Sequence, residues 1–86
     1  MTKIKCDEVS YRKGFVEISG NIHENHINLE VWGVHPDFDI PPGEASFNKT
    51  PEESFIGNVE LELSVENANA LIQELSNFVN SLEKDL

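Results

Sequence analysis

Three histidines and two aspartates carry most of the chemical scope of this sequence. His23 and His26 flank the tip of a prospective hairpin, and His35, Asp37 and Asp39 follow the strand that leaves it. Two imidazoles and a carboxylate make a zinc or catalytic-metal set when they converge, so His23 and His26 define a metal-binding or enzymatic reading. The spacing works against convergence. An extended strand from His26 to His35 is about 30 Å long, so within one chain His35 cannot complete a site with the hairpin pair. Asp37 and Asp39, on either side of Phe38, are a carboxylate pair of the kind that serves acid–base or metal chemistry. They are equally ordinary turn residues after Pro36. The sequence has no glycine-rich phosphate loop and no nucleophile with a base at a recognisable spacing. Cys6, on the inner face of the first strand, reads as a small buried hydrophobe rather than a reactive thiol. The expectation is a protein that is not an enzyme and that carries no cofactor and no metal.

Charge is more informative. Sixteen acidic residues against six basic ones give a formal net charge of -10. Lys3, Lys5, Arg12 and Lys13 lie near the N-terminus, and between Gly14 and Glu83 the only basic residue is Lys49. Such a surface repels phosphate backbones, which disfavours direct nucleic-acid binding. It attracts a basic protein surface and speeds the encounter. The same acidity also serves solubility alone. Trp32 adds a second signal, because alternation puts it on the polar side of its strand near Glu17 and Glu30. An exposed tryptophan ringed by carboxylates has the composition of a binding hot spot. The competing reading is that the proline-containing loop, through Phe38 or Phe47, folds over that face and buries the ring.

The elements that must position these residues follow from periodicity. At 86 residues, 38% hydrophobic and 26% charged, the chain reads as a single globular domain spanning 1–86. The lone cysteine excludes an internal disulfide and suggests a reducing compartment. No stretch reads as a signal peptide or a membrane span, so a soluble cytoplasmic protein is expected. Residues 3–34 read as a three-strand meander. Ile4 and Cys6 alternate with Lys3 and Lys5 in the first strand, which extends to Tyr11 after a phase change at Asp7-Glu8. Phe15 to Ile22 and His26 to Val34 follow. A turn at Glu24-Asn25 pairs Ile22 with Ile27, Gly20 with Leu29, Ile18 with Val31 and Val16 with Gly33 on one face. On the other face it sets Glu17 opposite Trp32, Ser19 opposite Glu30, Asn21 opposite Asn28 and His23 opposite His26. Glu-Asn is a mediocre two-residue turn, so a wider loop competes with this register.

All four prolines fall within residues 35–57, a loop in which Thr50-Pro51-Glu52-Glu53 predicts one helical turn through Phe55-Ile56, closed by Gly57. A strand at 58–63 alternates Val59, Leu61 and Leu63 with glutamates. Ser64 then caps an amphipathic helix over 65–84, with Glu66 in its first turn and Asn67 in a weak capping box. The stripe Val65, Ala68, Leu71, Ile72, Leu75, Phe78, Val79, Leu82 and Leu86 predicts packing on a sheet. Each large side chain in it contributes up to roughly 1.5–3 kcal/mol when buried. The stripe is wide enough at its end to extend into a dimer interface. The fold class is therefore α+β: about four antiparallel strands packed under one C-terminal helix, in two layers.

Function is read from charge and from the missing catalytic constellation. The leading expectation is a small acidic protein-binding protein, an inhibitor that docks on a basic surface of a larger partner such as a nuclease, a toxin or a nucleic-acid-binding defence complex. In it, Trp32, Glu17, Glu30, Asp37, Asp39, Glu60 and Glu62 form the partner-binding set and act as a nucleic-acid mimic. Immunity proteins and phage-encoded anti-defence inhibitors share this size and acidity, an analogy of type rather than kinship. The alternative is a homo-oligomeric structural or regulatory module, such as a homodimer, with incidental acidity.

Overall fold

The computed structural model of the chain describes residues 2–20 and 23–84. The expectations that involve Asn21, Ile22 and Leu86 lie outside them. Four strands, β1 (Thr2–Cys6), β2 (Lys13–Gly20), β3 (His26–Val34) and β4 (Phe55–Ser64), form one antiparallel sheet in the order β1-β2-β3-β4. Between β3 and β4 lie a short helix, α1 (Ser46–Lys49), and a single 3-10 turn at Glu52–Ser54. The C-terminal helix α2 spans Val65–Lys84. The architecture is α+β, as the periodicity predicts.

Strand alternation divides the sheet into two chemically different faces. Cross-strand pairs Ile4–Val16, Val16–Val31 and Val31–Val59 make one apolar rung. Ile18–Leu29–Leu61 and Ile27–Leu63 make the next two. Gly14, Gly33 and Gly57 are aligned across β2, β3 and β4 at the end of the same face. The opposite face carries Lys3, Glu17, Glu30 and Glu60 in one rung, and Phe15, Trp32 and Asn58 in the next.

The hairpin register differs from the expected one by two residues. Gly20 pairs with Ile27, Ile18 with Leu29 and Val16 with Val31, and Glu17 lies opposite Glu30 rather than Trp32. A shift of two leaves every side chain on its expected face, because the pleat repeats every two residues. It does widen the connection. The end of that connection is a turn in which the His26 amide donates to the His23 carbonyl at 3.1 Å, with Asn25 at φ 62°. Asn tolerates this left-handed conformation, whereas Glu24 would have had to adopt it as well in a two-residue type I′ turn. His23 therefore belongs to the turn and does not pair with His26 across strands.

Other boundaries shift for local reasons. β1 stops at Cys6, and residues 7–12 turn, with the Arg12 amide donating to the Val9 carbonyl at 3.0 Å. The phase change at Asp7-Glu8 is thus a strand end rather than a bulge. The bulge lies elsewhere, between Gly33 and Val34, where β4 carries the extra residue: Gly33 pairs with Gly57 and Val34 with Phe55. Phe55, Ile56 and Gly57 consequently belong to β4 and not to a helical turn. Thr50 does not cap the Glu52–Ser54 turn. Ahead of Pro51 its backbone is extended (φ -75°, ψ 126°), as the proline ring requires of the preceding residue. Its hydroxyl donates to the Ser46 carbonyl at 2.7 Å, closing α1. Ser54 closes the next turn by donating to the Pro51 carbonyl at 2.6 Å.

The residue 35–54 segment folds over the charged face and builds the enclosed core there. Phe47 of α1 meets Phe15 and Trp32 edge-on, at 5.2 and 4.7 Å between centroids, and lies tilted against Phe55 at 5.6 Å. Phe15 and Val34 are each only 2% exposed. Edge-to-face pairs of this kind add about 0.5–1.5 kcal/mol to the area they bury. The His35 amide donates to the Ser54 carbonyl at 2.8 Å and ties the two ends of the segment together.

The helix begins as the sequence implies. The Asn67 amide donates to Ser64 Oγ at 3.1 Å, and the Ser64 amide donates back to Asn67 Oδ1 at 3.4 Å, a reciprocal cap with Asn in the place usually held by Glu. Only the first two turns reach the sheet. Ala68, Leu71 and Ile72 face Ile18, Ile27, Leu29 and Leu63 across a gap of about 150 Å³. The contact is loose, since Ile72 is still 60% exposed, and beyond it Leu75, Phe78, Val79 and Leu82 are exposed without facing the sheet. The radius of gyration, 14.7 Å, exceeds the roughly 12 Å of a compact chain of this length.

Two substitutions test this account of the core. Phe15→Ala should lower unfolding free energy by about 3–5 kcal/mol in denaturant titration, the usual loss for a buried phenylalanine. Gly14→Ala should cost about 1–3 kcal/mol or more, because a Cβ there would lie 1.8 Å from the Trp32 carbonyl oxygen. A neutral Gly14→Ala would show that β2 and β3 do not approach so closely.

Candidate functional site

The acidic face is set by the pairing register. β2, β3 and β4 bring Glu17, Glu30 and Glu60 into one cross-strand row, and Glu62 lies two residues beyond Glu60 on the same side. Like charges directly opposite each other on a sheet are destabilising by a few tenths to one kcal/mol, order of magnitude. Side-chain amides offset part of that cost. Asn58 Nδ2 donates to Glu30 Oε2 at 3.0 Å, and Asn28 Nδ2 donates to Glu60 Oε1 at 3.3 Å.

Glu17 occupies a different environment from its neighbours. It is 6% exposed, and Lys3 Nζ stands 2.9 Å from its Oε2. That oxygen has no hydrogen-bond partner of proper geometry, so the contact is an ion pair rather than a directed hydrogen bond. The same ammonium lies 4.5 Å from the Phe47 ring centroid and 5.9 Å from that of Trp32. Lys3 therefore joins the acidic row to the aromatic cluster, with cation–π attraction adding to the ion pair. Glu17 is thereby removed from the set available to a partner.

Trp32 leaves the apolar face, as alternation predicts, but it is not a free-standing anchor. Phe47 covers it, and its ring is half-buried. The covering residue is Phe47 and not Phe38, which packs edge-on against His35 at 6.1 Å. Phe15 and Val34 also join the aromatic core.

The remaining candidates fall into two groups at opposite ends of β3. Glu30, Glu60 and Glu62 cluster toward the hairpin end, where His23 Nδ1 contacts Glu62 Oε1. His26 Nδ1 contacts the Glu24 carbonyl oxygen at 2.8 Å. Asp37 and Asp39 stand past the other end. The Asp37 amide donates to His35 Nδ1 at 3.1 Å, and its carboxylate is 3.8 Å from that nitrogen. His35 thus organises its own turn. Among the described residues no three His, Cys, Asp or Glu side chains converge as metal ligands.

Sequence reasoning missed the role of Lys3 and the alignment of Glu17, Glu30 and Glu60. The glutamate row was hidden by the two-residue register difference, which had set tryptophan and serine opposite the glutamates. It also missed how bare the other face is. Ile4, Ile18, Val31, Val59 and Leu61 remain exposed on it, as does Cys6. Cys6 accordingly lies on the expected face without being buried. No described helix is long and apolar enough to cross a membrane.

Comparison with known protein families, with curated proteins and with solved structures found no match.

The ion pair gives a stability prediction. Lys3→Met keeps most of the aliphatic stem while leaving Glu17 buried without its counter-charge, at a cost of about 1–3 kcal/mol. Adding Glu17→Met should restore most of that loss, because replacing both members of a buried pair by apolar groups is often neutral or stabilising. Chemical denaturation of the two single variants and the double variant measures both steps. A Lys3→Met variant as stable as the parent would remove Lys3 from this role.

Proposed function

We propose that the chain is a small acidic protein-binding protein, an inhibitor that docks on a basic surface of a larger partner such as a nuclease, a toxin or a nucleic-acid-binding defence complex. The observation that carries this reading is the register-aligned glutamate row. Glu30 and Glu60 are held side by side, hydrogen-bonded by neutral asparagines rather than neutralised by cations. With Glu62 two residues along, they present negative charge at the sheet surface, in a chain of net charge -10. Lysine or arginine side chains of a partner would relieve the repulsion on docking, and that relief favours the complex. Asp37 and Asp39 extend the acidic surface past the far end of β3, where a second part of a large partner would meet them.

A second reading is favoured by the other face of the sheet. The exposed Ile4, Ile18, Val59 and Leu61 side chains fit a homo-oligomeric module, in particular a homodimer. The two readings are compatible, because the acidic and apolar surfaces are on opposite sides of the sheet.

The binding reading predicts opposite signs for affinity and stability. Glu30→Gln with Glu60→Gln should leave unfolding free energy unchanged or raise it by about 0.2–1 kcal/mol, since like-charge repulsion is removed. The same variant should lower affinity for a basic partner by roughly tenfold or more. The partner is obtained by tagged capture from nuclease-treated host lysate at low and high salt, with mass-spectrometric identification. A basic protein retained at low salt, lost at high salt and lost with the double variant supports the proposal. Capture that is indifferent to salt and to both substitutions would sink it.

A further inference from the structure

The apolar face of the sheet and the distal half of α2 are two bare surfaces on the same chain. Leu61 is 56% exposed on the sheet, and Phe78 is 68% exposed on the helix. Charge enters only at the edge of the sheet surface, where Arg12 and Lys13 border its glycine end. The Val16–Val31–Val59 rung and the rung beside it hold only aliphatic side chains at their described positions, and the helix stripe from Leu75 to Leu82 is likewise apolar. Within one chain they do not meet, because only the first two turns of α2 touch the sheet.

The amount of uncovered surface matches a dimer. A compact chain of 9.7 kDa exposes about 5,100 Å². This chain exposes 6729 Å², an excess of about 1,600 Å² over that scaling. Two copies that each buried such an excess would form an interface of about 3,200 Å² in total, inside the roughly 2,000–5,000 Å² range of permanent homodimers. The sheet is also wide enough. Four strands at about 4.8 Å spacing put the outer strand axes about 14 Å apart, room for two helix axes about 8–10 Å apart. The chain itself supplies one, and that one covers only the hairpin end. At the other end the aligned glycines leave a depression of about 290 Å³, bordered by Cys6, Val16, Val31 and Ile56 and on one side by Arg12 and Lys13, which would admit a large side chain.

We infer that the bare end of the apolar face is covered by the distal half of α2 from a second copy of this chain, reciprocally, with Leu75, Phe78 and Leu82 of each helix seated on the other copy's sheet. The inference rests on the homodimer reading and adds to it which surfaces meet. Self-complementarity selects the occupant: a two-fold interface requires each copy to bring both halves of the contact, and this chain does. The net charge does not oppose it locally, since Glu30, Glu60 and Glu62 lie on the far side of the sheet.

Sedimentation equilibrium at micromolar concentration should give twice the 9.7 kDa chain mass. Phe78→Glu with Leu82→Glu should halve it while circular dichroism retains the sheet signal. A second measurement does not depend on that variant folding. Copies carrying Cys6→Ser and a single new cysteine at position 75, 78 or 82 are mixed with tagged copies that keep the native Cys6, and the mixture is oxidised. At least one of the three should give a mixed disulfide of tagged and untagged chains. A dimeric mass with no mixed disulfide at any position would overturn the helix-on-sheet placement and leave the homodimer reading intact. A monomeric mass at high micromolar concentration would overturn both. In that event, binding to lipid vesicles would assign the apolar face to a membrane surface.

Discussion

The insertion of Phe47 between Phe15, Trp32 and Phe55 is the contact on which the rest of the structure depends. Without it the residue 35–54 segment has no apolar anchor on the sheet, and Phe15 loses its cover. The prolines make the insertion affordable. Pro36, Pro41, Pro42 and Pro51 restrict the segment before folding, so less backbone entropy is lost when it closes over the sheet. Hydrogen bonds from Thr50 to Ser46 and from Ser54 to Pro51 then fix the two short turns that aim Phe47 downward. Lys3 stands over the same ring. The first strand is thereby joined to the loop as well as to β2.

Closing the loop over the polar face forces a choice on the acidic residues. Glu17 lies beneath the cover and is buried, so it requires Lys3. Glu30, Glu60 and Glu62 are less buried than Glu17, and Glu30 and Glu60 accept hydrogen bonds from the neutral amides of Asn58 and Asn28. One row of the sheet therefore contains a buried carboxylate paired with a cation and two carboxylates placed side by side with only asparagine amides bound to them. That difference separates Glu17 from the residues proposed for partner binding, although all of them look alike in the sequence. The low stability value of exposed ion pairs strengthens the distinction, because only the buried pair contributes appreciably to folding.

Much of the fold was legible because parity is robust. Alternation placed Ile18, Leu29 and Val31 on one face and Glu17, Glu30 and Trp32 on the other, and a two-residue slip in register could not disturb that. The slip itself was not legible, since turn geometry depends on whether Asn25 alone or Glu24 as well adopts a left-handed conformation. Ser64 and Asn67 marked the start of α2 correctly, because a reciprocal cap is a local interaction. Phe55 and Ile56 depart from the helical turn expected of them because the turn that Pro51 and the two glutamates start ends at Ser54, while the pairing of Phe55 with Val34 is non-local. At the candidate site, Trp32 was placed on its face by alternation. Its burial depended on Phe47, fifteen positions along the chain, where periodicity carries no information.

The distribution of apolar side chains bears on what the folding unit is. Phe15 and Val34 are the buried hydrophobic residues among those described, and they lie on the face covered by the loop. A larger apolar set, Ile4, Ile18, Val31, Val59 and Leu61 on the opposite face and the stripe along α2, remains exposed to water. A domain of this size ordinarily removes about two-thirds of its unfolded surface from solvent, and leaving its main aliphatic face bare forgoes much of the available hydrophobic free energy. The α2 cap argues that this is design and not disorder. Ser64 and Asn67 fix the start of the helix, so its first two turns cover the hairpin end of the sheet while the remaining three carry an unbroken apolar stripe elsewhere. A helix built to serve only its own sheet would spend that stripe on it. If a second copy completes the core, monomer and fold cannot be separated energetically, and stability depends on protomer concentration. The acidic face on the far side would then be present twice, related by the two-fold axis, and a partner with two basic patches would be held through both at once.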